Sequence, residues 1–118
     1  MSEITIEIEG LDKLGINIEK YNKKVQEHID NAVQVGALKI LRDAKIFVQV
    51  DTGRLRNSIR YSKTGEGEAE VKTNVEYAVF VEFGTSKQHE YPFMRPAAEI
   101  NAPEIISAIK EAVKNAKP

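Results

Sequence analysis

The chain has 118 residues, of which 42% are hydrophobic and 30% charged, with 17 basic against 18 acidic side chains. This length suits one modest core, so we expect a single domain over residues 1–118. The balanced charge argues against a protein that binds polyanions over its whole surface, and the absence of cysteine excludes disulfides and thiolate metal sites. No stretch approaches the ~20 apolar residues of a membrane span, and no signal peptide is evident, so a soluble protein is expected.

The first part of the chain predicts a strand followed by a long helix. Ile4, Ile6 and Ile8 alternate with polar residues, as in a half-buried strand. Over residues 11–47 apolar or small residues recur at a mean spacing of about 3.6, the period of an α-helix. One unbroken helix of this length would extend ~55 Å, so part of it is expected to leave the core, with a bend at Gly36.

The stretch DTGRLRNSIRYSKTG, which follows the predicted helix, indicates a corner and then a hairpin. Asp51 and Thr52 are residue types that cap a turn, and Gly53 accepts backbone angles closed to other residues. Alternating residues over 59–63 and 68–75, separated by Thr-Gly-Glu-Gly, predict two antiparallel strands. With the N-terminal strand they indicate an α+β fold, in which a small antiparallel sheet packs against the long helix.

The remaining sequence contains one ambiguous segment and a C-terminal helix. Residues 77–84, YAVFVEFG, suit either a short helix that ends at Gly84 or a strand. Pro96 fits the first turn of an amphipathic helix that continues to the C-terminus. Pro103 is expected to kink or restart that helix, and Asn101, with a glutamate three residues later, resembles a capping box at the restart.

Few residue patterns point to catalysis or metal binding. His28 and His89 lie in no metal-ligand spacing and are expected at the surface. Glu82 lies inside an apolar segment, where an ionised carboxylate needs a cation or several hydrogen-bond donors. It could act as a lone catalytic acid, but a salt bridge that locks a corner or a subunit contact is the favoured interpretation. The candidate partners are Arg54, Arg56 and Arg95.

A basic cluster surrounds the predicted corner. Its members are Arg54, Arg56, Arg60 and Lys63. Arginine forks suit phosphate or carboxylate, so the cluster is either a solvated charged turn or a contact for nucleic acid. Because no aromatic residues are interleaved for base stacking, the solvated turn is favoured and a nucleic-acid-binding adaptor is the alternative.

Three segments of the second half of the chain, DTGRLRNSI, YAVFVEFGT and PFMRPA, closely resemble in order and spacing the HK97 gp10-like family of phage tail-completion and head–tail joining proteins. Arg54, which lies within the first of these segments, is a further candidate for an interface. The positions marked by the resemblance are Asp51, Thr52, Gly53, Leu55 and Ser58, then Tyr77, Ala78, Glu82, Phe83, Gly84 and Thr85, then Pro92, Phe93, Arg95, Pro96 and Ala97.

The resemblance implies a small α+β structural protein, without cofactor or catalytic activity, that forms a ring at the head–tail junction of a long-tailed phage or prophage. The implied ring is hexameric, and its partners are the phage connector or adaptor and the tail tube or tail terminator, with no small-molecule substrate and no membrane. The implied location is the virion, after assembly in the host cytoplasm, and DNA would pass without specific binding. The resemblance also favours a short helix over residues 77–84.

Overall fold

The computed structural model describes residues 4–8, 11–48 and 53–115. The elements in this part of the chain confirm the predicted α+β class. In chain order they are β1 (Ile4–Ile8), β2 (Leu11–Ile16), α1 (Lys23–Phe47), α2 (Arg54–Ser58), β3 (Arg60–Gly65), β4 (Glu68–Lys72), α3 (Ala78–Phe83) and α4 (Met94–Asn115).

The four strands form one antiparallel sheet in the order β1-β2-β4-β3. The predicted hairpin is present as β3 and β4, with a register shift between Lys63 and Gly65. In the centre of the sheet Leu14 of β2 lies opposite Ala69 of β4, and both side chains are buried. Because paired residues project to the same face, this is the face that packs against helix α1.

Residues 11–22 were predicted to be helical, and that prediction was wrong. Leu14, Ile16 and Ile18 are buried at alternate positions, and β2 pairs with strands on both sides. Helix α1 begins only after Asn22, whose side chain accepts a hydrogen bond from the backbone N–H of Val25 at 3.0 Å. The sheet therefore has a fourth strand, and α1 is 25 residues long, or about 37 Å rather than ~55 Å.

Helices α1 and α4 pack closely where Gly36 meets Ile105. A Cβ atom built on Gly36 would lie 2.6 Å from Cγ1 of Ile105, closer than two non-bonded carbon atoms can approach. Helix α1 runs through Gly36 without interruption. The glycine that the sequence suggested as a bend is thus a contact point, where the missing side chain lets the isoleucine approach the helix backbone.

Helix α4 continues through Pro103, so the predicted restart was wrong, while a kink at this proline stays a prediction. Asn101 does not cap a helix there: its side chain is buried, and its amide donates to Oδ2 of Asp43 and to the carbonyl of Ala97, both at 2.7 Å. Proline removes the donor for the carbonyl of Glu99. Because Pro103 and Glu99 are both exposed, water can satisfy that carbonyl and the helix can persist.

The core lies between the inner face of the sheet and the two long helices. The protein is elongated, with principal extents of 56 × 21 × 20 Å. The largest fully buried apolar side chains of the described residues are Phe93, Ile29, Ile40, Ile59, Met94, Ile105, Val33 and Val71.

Candidate functional site around helix α3

Residues 77–84, which were ambiguous in the sequence, form the short helix α3. Ala78 and Glu82, four residues apart, are its buried positions, as expected for one face of a helix. The helix ends at Gly84, which has a φ of 74°. A Cβ atom at this position would lie 2.8 Å from the backbone nitrogen of Glu90 and 2.9 Å from the carbonyl oxygen of Gln88. Gly84 is therefore required both by its backbone angle and by the space around it.

The carboxylate of Glu82 caps the beginning of helix α4. Oε1 accepts hydrogen bonds from the backbone N–H groups of Phe93 and Met94, at 3.1 and 2.9 Å, and Oε2 accepts one from that of Arg95 at 3.1 Å. The first N–H groups of a helix have no partner within the helix and carry partial positive charge. A buried carboxylate and a buried helix end thus satisfy each other, and α3 is fixed against α4.

The side chain of Arg95 completes the contact. Its Nε donates to Oε2 of Glu82 at 3.1 Å, and Nη2 donates to the Glu82 carbonyl at 3.1 Å and to Glu90 at 3.3 Å. The hydrogen bond to Glu82 is the main reason that the pKa of Arg95 is raised above its usual value. Of the three arginines proposed as partners, Arg95 is the one that contacts Glu82. Its guanidinium also lies 4.9 Å from the ring centroid of Phe83.

This geometry favours a structural role for Glu82 over a catalytic one. The side chain is 1% exposed, and both carboxylate oxygens accept hydrogen bonds from within the protein. No group of three or more histidine, cysteine, aspartate or glutamate residues in the described ranges could hold a metal ion. His28 and His89 are both exposed, as predicted. None of the helices in the described residues is long and apolar enough to cross a membrane.

The described residues include part of the corner before α2. Asp51 and Thr52 lie outside the described residues, so their capping role stays a prediction. Gly53 precedes α2 with a φ of 80°, the left-handed conformation expected of it. Leu55 is buried, and Ser58 donates its hydroxyl proton to the Leu55 carbonyl at 2.6 Å. The described part of the corner is held by local hydrogen bonds and one core side chain.

Two members of the predicted basic cluster form ion pairs with separate acidic residues. The cluster comprised Arg54, Arg56, Arg60 and Lys63. Arg54 lies 3.6 Å from the carboxylate of Glu76 at the start of the α3 region. Lys63 donates to Asp30 of helix α1 at 2.9 Å, an ion pair that ties β3 to the helix. Arg56 and Arg60 are exposed, so these ion pairs account for two of the four residues.

The outer face of α3 is apolar and exposed. Tyr91 lies beside the helix because its backbone N–H donates to the Val81 carbonyl at 2.7 Å. We call the following side chains the α3 patch: Val79, Phe80, Phe83 and Tyr91, exposed by 45%, 54%, 43% and 44%. Of these four, Phe83 was the one marked from the sequence. The segment has apolar residues at both helical and strand spacing, so some of them had to be exposed in either structure.

Comparison with known protein families gives a match over much of the chain. Residues 12–84 match the family model described as "Bacteriophage HK97-gp10, putative tail-component". The match covers more than half of the chain and includes the corner and helix α3, but not the third resembling segment at residues 92–97. None of the curated proteins matches the chain, and no solved structure does. The chain belongs to the HK97-gp10 family of phage tail components.

Proposed function

We propose that this tail component is a non-enzymatic structural protein that forms a homo-oligomeric ring at the head–tail junction of a long-tailed phage or prophage. In this proposal the ring is hexameric and joins the connector or adaptor on the head side to the tail tube or tail terminator. The protein would assemble in the host cytoplasm and remain in the virion. Membership of a tail-component family supports the virion location, and the ring and its position are our inference from the resemblance.

The α3 patch is the observation that carries the proposal. Contiguous exposed apolar side chains on a small protein mark interaction surfaces. Helix α3 is held by the buried carboxylate of Glu82, by Arg95 and by the tight backbone contacts of Gly84. These contacts hold the backbone of α3 in place before any partner binds, which lowers the entropy cost of association.

The charge of the chain is compatible with such a ring. The formal net charge is −1, so the protein as a whole does not attract DNA strongly, as a lumen through which DNA passes requires. The pairing of Arg54 with Glu76 and of Lys63 with Asp30 further reduces the basic surface near the corner.

Light scattering over a range of protein concentrations tests the proposal. The purified protein is measured alone and then with the connector protein encoded beside its gene. We expect a particle of discrete mass, corresponding to a hexamer, in at least one of the two conditions. A monomer in both conditions, with no connector bound, would contradict the proposal. Salt-sensitive DNA binding that is lost on changing the four basic residues of the corner to alanine would favour the adaptor alternative.

A further inference from the structure

Two polar side chains of helix α1 hold the hairpin formed by β3 and β4. Asp30 and Gln34 lie about one helical turn apart, and Nε2 of Gln34 donates to Oδ1 of Asp30 at 3.0 Å. This bond fixes the two side chains relative to each other. We call these two residues the register pair.

Each member of the register pair contacts both sides of the hairpin. The aspartate accepts a hydrogen bond from Nζ of Lys63 in β3 at 2.9 Å and one from the backbone N–H of Gly67, just before β4, at 2.8 Å. The glutamine accepts a hydrogen bond from the hydroxyl of Tyr61 in β3 and donates to the carbonyl of Glu68 in β4 at 2.9 Å. The register pair therefore fixes the position of β3 relative to β4, rather than that of either strand alone.

The pairing of β3 with β4 contains a bulge. Lys63 lies opposite Ala69 and Gly65 lies opposite Glu68, so the register skips Thr64. A bulge interrupts the ladder of hydrogen bonds between two strands. The bulged pairing thus requires contacts elsewhere that compensate for the interruption.

A regular ladder that starts from the same turn is the alternative to the bulge. It would place Thr64 opposite Ala69 and Ser62 opposite Val71, one residue away from the observed register. Because side chains alternate between the two faces of a strand, β3 would turn over, and Tyr61 would leave the face that packs against α1. The hydrogen bonds from β3 to the register pair would then be lost.

Burial of apolar side chains discriminates only weakly between these two registers. None of residues 60–65 is buried, and Tyr61, the one large apolar side chain among them, is only half-buried. A strand that is polar on both faces specifies its register weakly. The choice of register therefore depends on polar contacts, and the register pair provides them.

We propose that the register pair selects the bulged register of β3, and that the hairpin shifts to the regular register when these contacts are removed. The inference does not depend on the ring proposed above. It matters at the edge of the sheet, because β3 is an edge strand. A bulge twists such a strand and is one of the features that keep an edge from pairing with another chain.

Nuclear Overhauser effects (NOEs) between the strands measure the register directly, because residues opposite each other in an antiparallel pair have Cα atoms only about 4.5–5.5 Å apart. The isotope-labelled full chain is used. In the natural protein we expect backbone NOEs between Ser62 and Glu70, which lie opposite each other. In the double variant D30A/Q34A we expect them to be replaced by NOEs between Ser62 and Val71.

The matched control is E27A/N31A. Glu27 and Asn31 are an acid and an amide with the same spacing on α1, and both are exposed. The hydrogen bonds to the hairpin come from the register pair and not from these two residues, so we expect the natural register in the control.

A second variant, Y61F/K63A, removes the same contacts from the side of the strand. It keeps the ring of Tyr61 and leaves both members of the register pair in place, so the turn retains its hydrogen bond from Gly67. We expect the same shift to the regular register. This variant decides the question if D30A/Q34A does not fold, as judged from the dispersion of its amide signals.

The outcomes separate a choice of register from a general effect on stability. NOEs between Ser62 and Val71 that appear on removal of the contacts, and not in the control, support the proposal. A folded D30A/Q34A variant that keeps only the pairing of Ser62 with Glu70 would overturn it, because the half-buried Tyr61 would then suffice to set the register. Unfolding of both variants would also overturn it, since the contacts would then hold the whole fold rather than select a register.

Discussion

Glu82 accepts hydrogen bonds from both the backbone N–H and the Nε of Arg95, each at 3.1 Å. The pair joins the end of α3 to the beginning of α4, and the Arg95 guanidinium extends from the buried carboxylate to the ring of the exposed Phe83. One carboxylate therefore satisfies a helix terminus, anchors an arginine and positions the apolar face of α3.

Replacing Glu82 with glutamine is expected to destabilise the protein. Glutamine has one carbonyl oxygen where the carboxylate has two, and its NH₂ group would face backbone N–H groups that need an acceptor. We expect the free energy of unfolding, measured by urea titration, to fall by about 2–3 kcal/mol. The control is E90Q, because Glu90 is largely exposed and its pairing with Arg95 contributes less than about 1 kcal/mol. A loss in E82Q no larger than that in E90Q would contradict the capping role.

Replacing Gly84 with alanine tests the backbone requirement at the end of α3. The substitution combines a positive φ with a Cβ placed under 3 Å from two backbone atoms. We expect a loss of about 1–3 kcal/mol or more, seen as a lower melting temperature. Gly15 provides the control, since a Cβ there would meet its nearest neighbour, the flexible side chain of Glu68, at an ordinary 3.5 Å. Equal melting temperatures for G84A and G15A would show that the loop after α3 adapts.

Much of the fold could be predicted from local patterns, because those patterns depend on neighbours in sequence. The hairpin over β3 and β4 and the amphipathic stripe of α1 are of this kind. Residues 11–22 were misassigned because Leu11, Leu14 and Ile18 continue the helical spacing, while the pairing that makes β2 a strand comes from residues in β1 and β4. Only the pairing with β4 spans more than fifty residues. The pairing with β1 joins adjacent segments, and the alternation of Leu14, Ile16 and Ile18 was a local signal for a strand that the helical spacing obscured.

At the candidate site the sequence indicated that Glu82 needs partners but did not identify all of them. An acidic residue in an apolar segment showed that Glu82 required a partner, and Arg95 was among those proposed. The backbone donors of residues 93–95 were not foreseen, because every helix has such donors and nothing in the sequence says which acid will lie against them. The bond from Asn101 to Asp43 was missed for the same reason, since it depends on how α1 and α4 cross.

Where α1 and α4 cross, the effect of replacing Gly36 with alanine on stability should change sign with the side chain at position 105. G36A alone should be destabilising by about 1–3 kcal/mol, because the new Cβ would collide with Ile105 in a packed core. In an I105A background the collision is removed, and the same substitution should stabilise by up to about 1 kcal/mol through the helix propensity of alanine. Chemical denaturation of the four proteins of this double-mutant cycle measures the coupling. Equal effects of G36A in both backgrounds would contradict the contact.

Acid stability depends in part on Asp43. Its pKa is lowered, first by the hydrogen bond from Arg42 and then by that from Asn101. The pKa of Asp43 in the folded protein lies below its unfolded value of 3.8, so the ionised carboxylate stabilises the fold above pH 3.8. This stabilisation is lost as the pH falls through the folded pKa. We expect D43N to lose less unfolding free energy than the natural protein between pH 7 and pH 3. The control is E99Q, because Glu99 is exposed on α4 and the substitution also removes one negative charge. If D43N and the natural protein lose the same free energy of unfolding between pH 7 and pH 3, Asp43 does not contribute to acid stability.

Replacing Phe80 with serine should separate assembly from folding. Phe80 is 54% exposed, so the substitution removes apolar surface that contributes little to the core. We expect the melting temperature to change by only a few degrees, while light scattering in the presence of the connector shows a smaller fraction of ring. The matched control is I100S on α4, because Ile100 is 60% exposed and lies outside the α3 patch. If F80S and I100S assemble equally well, the α3 patch is not a subunit contact, and the exposed apolar residues of α1 become the next candidates. These are Val35, Leu38, Ile46 and Phe47.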